Sequence, residues 1–152
     1  MKNLSLVVFL LASFSVFSAE NDVQLENMWI RSGPPNAKVL AGYGEIRNSG
    51  SVAVTIASIS SSDFEKIELH ESMIHNGMVM MHEVEDKTIK AGSSITLESN
   101  SYHLMLKKPG KKLKAGDKVN LVFKFTNGSF VETRVEIKMQ DQPATGHGHN
   151  HH

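Results

Sequence analysis

Four methionines and three histidines occupy the thirteen residues from His70 to His82, HESMIHNGMVMMH, and the whole chain contains no cysteine. A thioether sulfur is soft, polarizable and uncharged, so it suits Cu(I), whereas Mg²⁺ and Ca²⁺ prefer oxygen. Imidazole complements it, because one ring nitrogen can bind the metal while the other is held by a neighbouring group. The composition of this segment indicates a copper site built without thiolate.

A second pair of soft donors follows in the segment SYHLML, residues 101–106. On a β-strand His103 and Met105 point to the same side, because alternate residues share a face. This His-x-Met pair could supply two donors from one strand edge.

The first segment must form a hairpin if its donors are to converge. Asn76-Gly77 is a two-residue turn signal, and it pairs His75 with Met78 and Met73 with Met80. One face of the hairpin then carries Glu71, Met73, His75, Met78, Met80 and His82, and the other carries His70, Ser72, Ile74, Val79, Met81 and Glu83. His70 and Met81 become diagonal neighbours, but this register alone does not say which face holds a metal.

Two His-Glu pairs in this segment raise the alternative of a zinc hydrolase. The His-Glu-x-x-His motif would need histidine at position 74 or 86, where Ile74 and Asp86 stand, and the segment is not helical. The alternative therefore fails.

The rest of the chain is expected to be all-β. Residues 52–59, 119–125 and 130–137 alternate apolar with polar or small side chains, and turn residues separate them. Asn127-Gly128 predicts a further two-residue hairpin. Short strands at this spacing predict an antiparallel sandwich or barrel.

Three segments are predicted along the chain: a signal peptide at 1–19, a copper-binding domain at 20–139 and a flexible His-rich tail at 140–152. The leader has a basic start and a short apolar run, with cleavage expected after Ser18 or, alternatively, Ala19. The mature protein is expected to be periplasmic, without a membrane span, and without a lipid anchor because no cysteine follows the leader. Without Lys2, 15 basic and 16 acidic side chains remain, which does not favour nucleic acid as a partner.

The soft donors also fall into a recognisable pattern, His-x10-Met-x21-His-x-Met, at His70, Met81, His103 and Met105. In this pattern the chain resembles the PCu(A)C-type periplasmic copper chaperones. The resemblance extends over roughly residues 23 to 138 and includes MWIRSGPPNAKVLAGYGEIRNSG, YHLML and LKAGDKVNLVFKFTNG.

The resemblance implies a cupredoxin-like Greek-key β-barrel or sandwich that binds one Cu(I) through those four residues. It also implies copper delivery toward the CuA centre of cytochrome c oxidase, either directly to subunit II or with a Sco-type thiol protein. The alternative is a periplasmic scavenger that confers metal tolerance without a dedicated acceptor. For the remaining soft donors of the segment packing is expected, and the alternatives are a hydrophobic apron round the site or transient ligation during handover; these donors are Met73, His75, Met78, Met80 and His82.

The tail ends in HGHNHH, and His147, His149, His151 and His152 form a possible second site for Cu(II). An expression tag is the alternative interpretation, although Gly148 and Asn150 interrupt the run.

Two other functional classes are disfavoured. A blue-copper electron carrier needs a cysteine ligand, and no nucleophile–base or phosphate-binding motif indicates an enzyme.

Overall fold

Ten β-strands make up the part of the chain that the computed structural model describes, residues 22–139. In chain order they are β1 (Val23–Arg31), β2 (Val39–Asn48), β3 (Val54–Ser60), β4 (Phe64–His75), β5 (Met78–Glu83), β6 (Thr88–Ile89), β7 (Ser93–Leu97), β8 (Tyr102–Pro109), β9 (Lys118–Phe125) and β10 (Phe130–Lys138). The expected all-β class is confirmed. Residues 22–139 include no helix of the length and apolarity that a membrane crossing requires. The predicted signal peptide, 1–19, and the predicted tail, 140–152, lie outside the described residues.

The strands close into a barrel. Following the hydrogen-bonded neighbours gives the circuit β4, β8, β2, β1, β10, β9, β3 and back to β4. The first half of β2 pairs with β8 and its second half with β7, which adds an eighth strand to the wall. Most pairings are antiparallel, but β1 with β10 and β7 with β8 are parallel.

The core follows from the period-two pattern of the strands. In β9 the side chains of Val119, Leu121, Phe123 and Phe125 are buried, and the residues between them face outward or are only half-buried. Across the barrel, Leu104 and Leu106 of β8 are fully buried in the same cluster. Because the chain has no cysteine, no disulfide bond stabilises the fold, and this apolar burial is the main contribution to its stability.

The predicted hairpin of β4 and β5 is confirmed residue for residue. His75 pairs with Met78, and Met73 pairs with Met80. Asn76 and Gly77 have φ angles of 50° and 77°, the left-handed conformation that a type I′ turn requires and that Asn and Gly tolerate best. At the other edge of β4, β8 begins opposite Glu71, so the hairpin projects beyond the end of the barrel wall.

The turn at Asn127-Gly128 has a different form from the predicted two-residue loop. The last ladder pair is Lys124 with Phe130, and the Phe125 amide donates to the Ser129 carbonyl. Gly128 takes the left-handed conformation at φ 86°, and the Asn127 carboxamide accepts from the Ser129 amide. The local hydrogen bonds of Asn127 favour this longer, bulged connection.

Candidate metal centre

The candidate site lies on three adjacent strands, β5, β4 and β8. His70 on β4 is directly opposite His103 on β8, and Glu68 is directly opposite Met105. Directly opposed residues and alternate residues of one strand share a face. His70, His103 and Met105 therefore lie on one face of the sheet, the outer one, since Leu69 and Leu104 between them point into the core.

Met81 reaches the same face from the third strand. It lies directly opposite Ser72, which makes it the diagonal neighbour of His70 across the β4–β5 ladder. Its side chain is 55% exposed, whereas Met105 is half-buried. The register thus brings all four sequence-predicted ligands to one face, with Met81 as the donor most open to solvent.

The two imidazoles form the closest measured pair of the site. The ring centroids of His70 and His103 are 6.0 Å apart, and the rings are tilted by 41°. With metal–nitrogen bonds of about 2 Å, two imidazoles that share one ion place their centroids about 5–6 Å apart. The observed separation lies at the upper end of that range.

His103 is held in one tautomer. Its side chain is buried, with 3% of its surface exposed, and its Nδ1 lies 3.2 Å from the carbonyl oxygen of Ser101. Because a carbonyl can only accept, Nδ1 must carry the proton. The lone pair of the neutral ring is therefore on Nε2, which is the nitrogen left for a metal.

His70 is held by Glu68. The Nε2 atom of His70 lies 2.7 Å from a carboxylate oxygen of Glu68, which lies two residues earlier on the same face of β4. An ionised carboxylate accepts only, so Nε2 carries the proton and the lone pair is on Nδ1. That Nδ1 atom is buried and has no hydrogen-bond partner among residues 22–139. A buried nitrogen with a free lone pair is what a metal ligand requires.

Glu68 is charged although it is buried. Two lysine ammonium groups contact its carboxylate, Lys66 at 2.6 Å and Lys107 at 2.5 Å. Burial alone would raise the pKa of Glu68, but hydrogen bonds from Lys107, Lys66 and His70 outweigh it and lower that pKa to about 2. The carboxylate is thus a fixed anion behind the His70 ring, where it raises the basicity of the donor nitrogen.

Glu68 and Ser101 are the residues of the candidate site that sequence reasoning missed. A signal for Glu68 was available, because Glu-x-His on a strand places the carboxylate and the imidazole on the same face, one pleat apart. The Ser101 contact is made by a backbone carbonyl, which no residue type reveals.

The two thioethers make a soft metal the best match to the donor set. Among the described residues 22–139, no group of three or more His, Asp or Glu side chains is placed to hold an ion. Two neutral imidazole nitrogens and two thioethers remain, and this combination matches Cu(I).

The other soft donors of the hairpin are exposed. Met73, Met78 and Met80 are 47%, 64% and 47% exposed, so these methionines lie outside the buried core. The proposed tail ligands, from His147 to His152, lie outside the residues described.

Comparison with known proteins places these features in a family. Residues 23–137 match the family described as "Putative lipoprotein LpqE-like". The chain is also 29% identical over 117 residues to the "Putative lipoprotein Lxx21020" of Leifsonia xyli subsp. xyli, an alignment that covers 76% of this chain and 69% of that protein.

Solved structures agree with the barrel. The copper-bound PCuAC domain from PmoF2 superposes with a TM-score of 0.65 at 15% identity, covering 78% of this chain and 93% of that domain. The Cu(I) form of DR1885 from Deinococcus radiodurans gives a TM-score of 0.63 at 22% identity, covering 78% of this chain and 80% of that protein. At such identities the similarity establishes the fold, and the cupredoxin-like barrel is confirmed. The chain belongs to the LpqE-like family, with the fold of a PCuAC domain.

Proposed function

We propose that this protein is a copper chaperone that binds one Cu(I) through His70, Met81, His103 and Met105. One observation carries the proposal: two imidazoles 6.0 Å apart, buried His103 and half-buried His70, each with one nitrogen fixed by a partner and the other left with its lone pair. Two thioethers on the same face complete a neutral, soft donor set. The copper in the related PCuAC structures supports the identity of the metal.

Neutral donors also suit release. An incoming thiolate can replace the thioethers and imidazoles one at a time, and each ligand that leaves the copper ion is neutral. Met81, the exposed ligand, is the one that an acceptor would displace first. We propose delivery toward the CuA centre of cytochrome c oxidase, with subunit II or a Sco-type thiol protein as the acceptor.

The second candidate is a scavenger that sequesters copper without a dedicated acceptor, since the same site would serve it. An electron-transfer role is disfavoured because the site has no thiolate, and no arrangement described here indicates an enzyme. The predicted tail would add a Cu(II) site at His147, His149, His151 and His152.

X-ray absorption on protein loaded with less than one equivalent of Cu(I) tests the ligand set. We expect two sulfur and two nitrogen donors, unchanged when residues 141–152 are removed. A spectrum with nitrogen donors only would contradict the proposal. A donor count that falls on removal of the tail would place the ion there instead.

A deletion strain grown at limiting copper separates delivery from scavenging. Loss of a chaperone lowers cytochrome c oxidase activity, and added copper restores it, whereas loss of a pure scavenger leaves the activity unchanged or higher. In the complemented strain we expect the protein in the periplasmic fraction with Ala19 or Glu20 as its first residue. Recovery from the cytoplasm with Met1 intact would contradict the proposed export.

A further inference from the structure

The projecting hairpin has a second face that the proposed site does not use. On this face Met73 of β4 lies directly opposite Met80 of β5, and Met78 lies two residues before Met80 on the same strand. Within the barrel this face points into the core, but here the wall has ended and the three thioethers face outward. They are 47%, 64% and 47% exposed for Met73, Met78 and Met80.

Packing does not explain this placement. An exposed apolar side chain gains little from burial, and a soluble protein rarely clusters several of them without a binding role. Leucine or valine would serve equally well for a simple apolar contact, whereas only methionine adds a soft donor atom. The hairpin exposes Ile74 and Val79 as well, at 78% and 64%, so what sets the three methionines apart is the sulfur donor that each one adds.

The backbone register brings the three sulfurs within reach of one ion. Directly opposite residues have Cβ atoms about 4.5–5.5 Å apart, and diagonal neighbours such as Met73 and Met78 about 7–8 Å apart, a span that long side chains can bridge. Each methionine has three rotatable bonds and, being exposed, is free to turn toward a common point. The type I′ turn at Asn76-Gly77 holds the two strands in this register.

We propose that Met73, Met78 and Met80 form a second site for a soft monovalent cation, Cu(I) in the cell and Ag(I) as its redox-stable analogue. Three neutral thioethers on an exposed surface hold such an ion more weakly than the two imidazoles and two thioethers of the first site, which is more sheltered from solvent. Met80 and Met81 are consecutive, so the two sites lie back to back across the hairpin. The second site would load the first or pass its ion onward.

That the bound ion is Cu(I) in the cell rests on the proposed function. The ligand set Met73, Met78 and Met80 does not depend on the ligand set of the first site. Nuclear magnetic resonance of full-length protein labelled at the methionine methyl carbons reports each thioether separately during titration with Ag(I) or Cu(I). The first equivalent is expected to shift Met81 and Met105, and the second to shift Met73, Met78 and Met80. Two methionines away from both sites, half-buried Met28 and exposed Met139, serve as internal references.

Leucine variants separate the two proposals. The double variant M73L/M80L keeps the apolar volume, and we expect it to weaken the second binding event at least about tenfold and to leave the first unchanged. M81L/M105L is expected to abolish the first event and leave the second. M139L, which removes an exposed thioether elsewhere, should change neither.

The outcomes are distinguishable. If the second equivalent moves none of the methyl signals of Met73, Met78 and Met80, the second site is disproved and the first stands. If the first equivalent moves Met73, Met78 and Met80 while Met81 and Met105 stay still, the proposed ligand set fails and the second site stands.

Discussion

Replacing His103 by alanine is expected to weaken Cu(I) binding by more than about 100-fold, because even the loss of an outer hydrogen-bond partner of a metal ligand costs about 10–100-fold. His103 is the most buried of the four proposed ligands, at 3% exposure, and its proton is fixed on Nδ1 by the Ser101 carbonyl. No other imidazole of the described chain lies opposite His70 on this face. Competition with a chromogenic Cu(I) chelator measures the affinity.

Because the alanine variant leaves a cavity in a buried position, a second variant isolates ligation from folding. Met105→Leu removes the sulfur at nearly constant volume, which costs less than about 1.5 kcal/mol of stability in a well-packed site. Met28→Leu is the matched control, since Met28 is also a partly buried methionine but packs against the core away from the site. We expect Met105→Leu to lower the affinity and Met28→Leu to leave it unchanged. Equal affinities in both variants would remove Met105 from the ligand set.

The β4–β5 hairpin of the site can be predicted from the sequence because the residues that determine its pairing lie close together in the chain. Asn76-Gly77 fixes the turn, and from the turn every pair down to Ser72 and Met81 follows by counting. The diagonal placement of His70 and Met81 could thus be predicted without any long-range information. The same holds for His103 and Met105, whose shared side depends only on the strand period.

The convergence of these two local units could not be predicted in the same way. The β4–β8 ladder that sets His70 opposite His103 joins strands separated by β5, β6 and β7, and its register depends on the whole barrel. Periodicity places residues on faces but does not choose the neighbouring strand. For this pairing only the spacing of the family motif supplied the link.

The solvent exposure of the hairpin methionines also could not be predicted from local sequence patterns. The sequence predicts packing for Met73 and Met80, which lie on the face of the hairpin that is in phase with buried Leu69. They are exposed because β8 begins only at Tyr102, opposite Glu71, so no wall continues beside them. Where a barrel ends is a property of the fold, and here it determines which methionines are free to bind a ligand.

Glu68→Gln is expected to lower both the stability of the apoprotein and its affinity for Cu(I). Glutamine matches the shape of glutamate but carries no charge, so Lys66 and Lys107 lose their common buried anion. Both lysine side chains are partly exposed and can turn to solvent, which limits the loss in unfolding free energy to about 1–3 kcal/mol at neutral pH. Urea denaturation of the metal-free protein measures this loss.

The effect of Glu68→Gln on the metal acts through His70. Without the carboxylate, the His70 ring loses the anion that fixes its proton on Nε2 and raises the basicity of Nδ1, and we expect Cu(I) affinity to fall about 10–100-fold. Glu83→Gln is the matched control. Glu83 lies opposite His70 on β5 and also contacts Lys66, at 3.4 Å, but it is exposed, and the imidazole hydrogen-bonds to Glu68 instead. Its loss should change stability by less than about 0.5 kcal/mol and leave the affinity intact. If the two variants behave alike, the buried carboxylate has no special part in the site, and general surface charge accounts for both results.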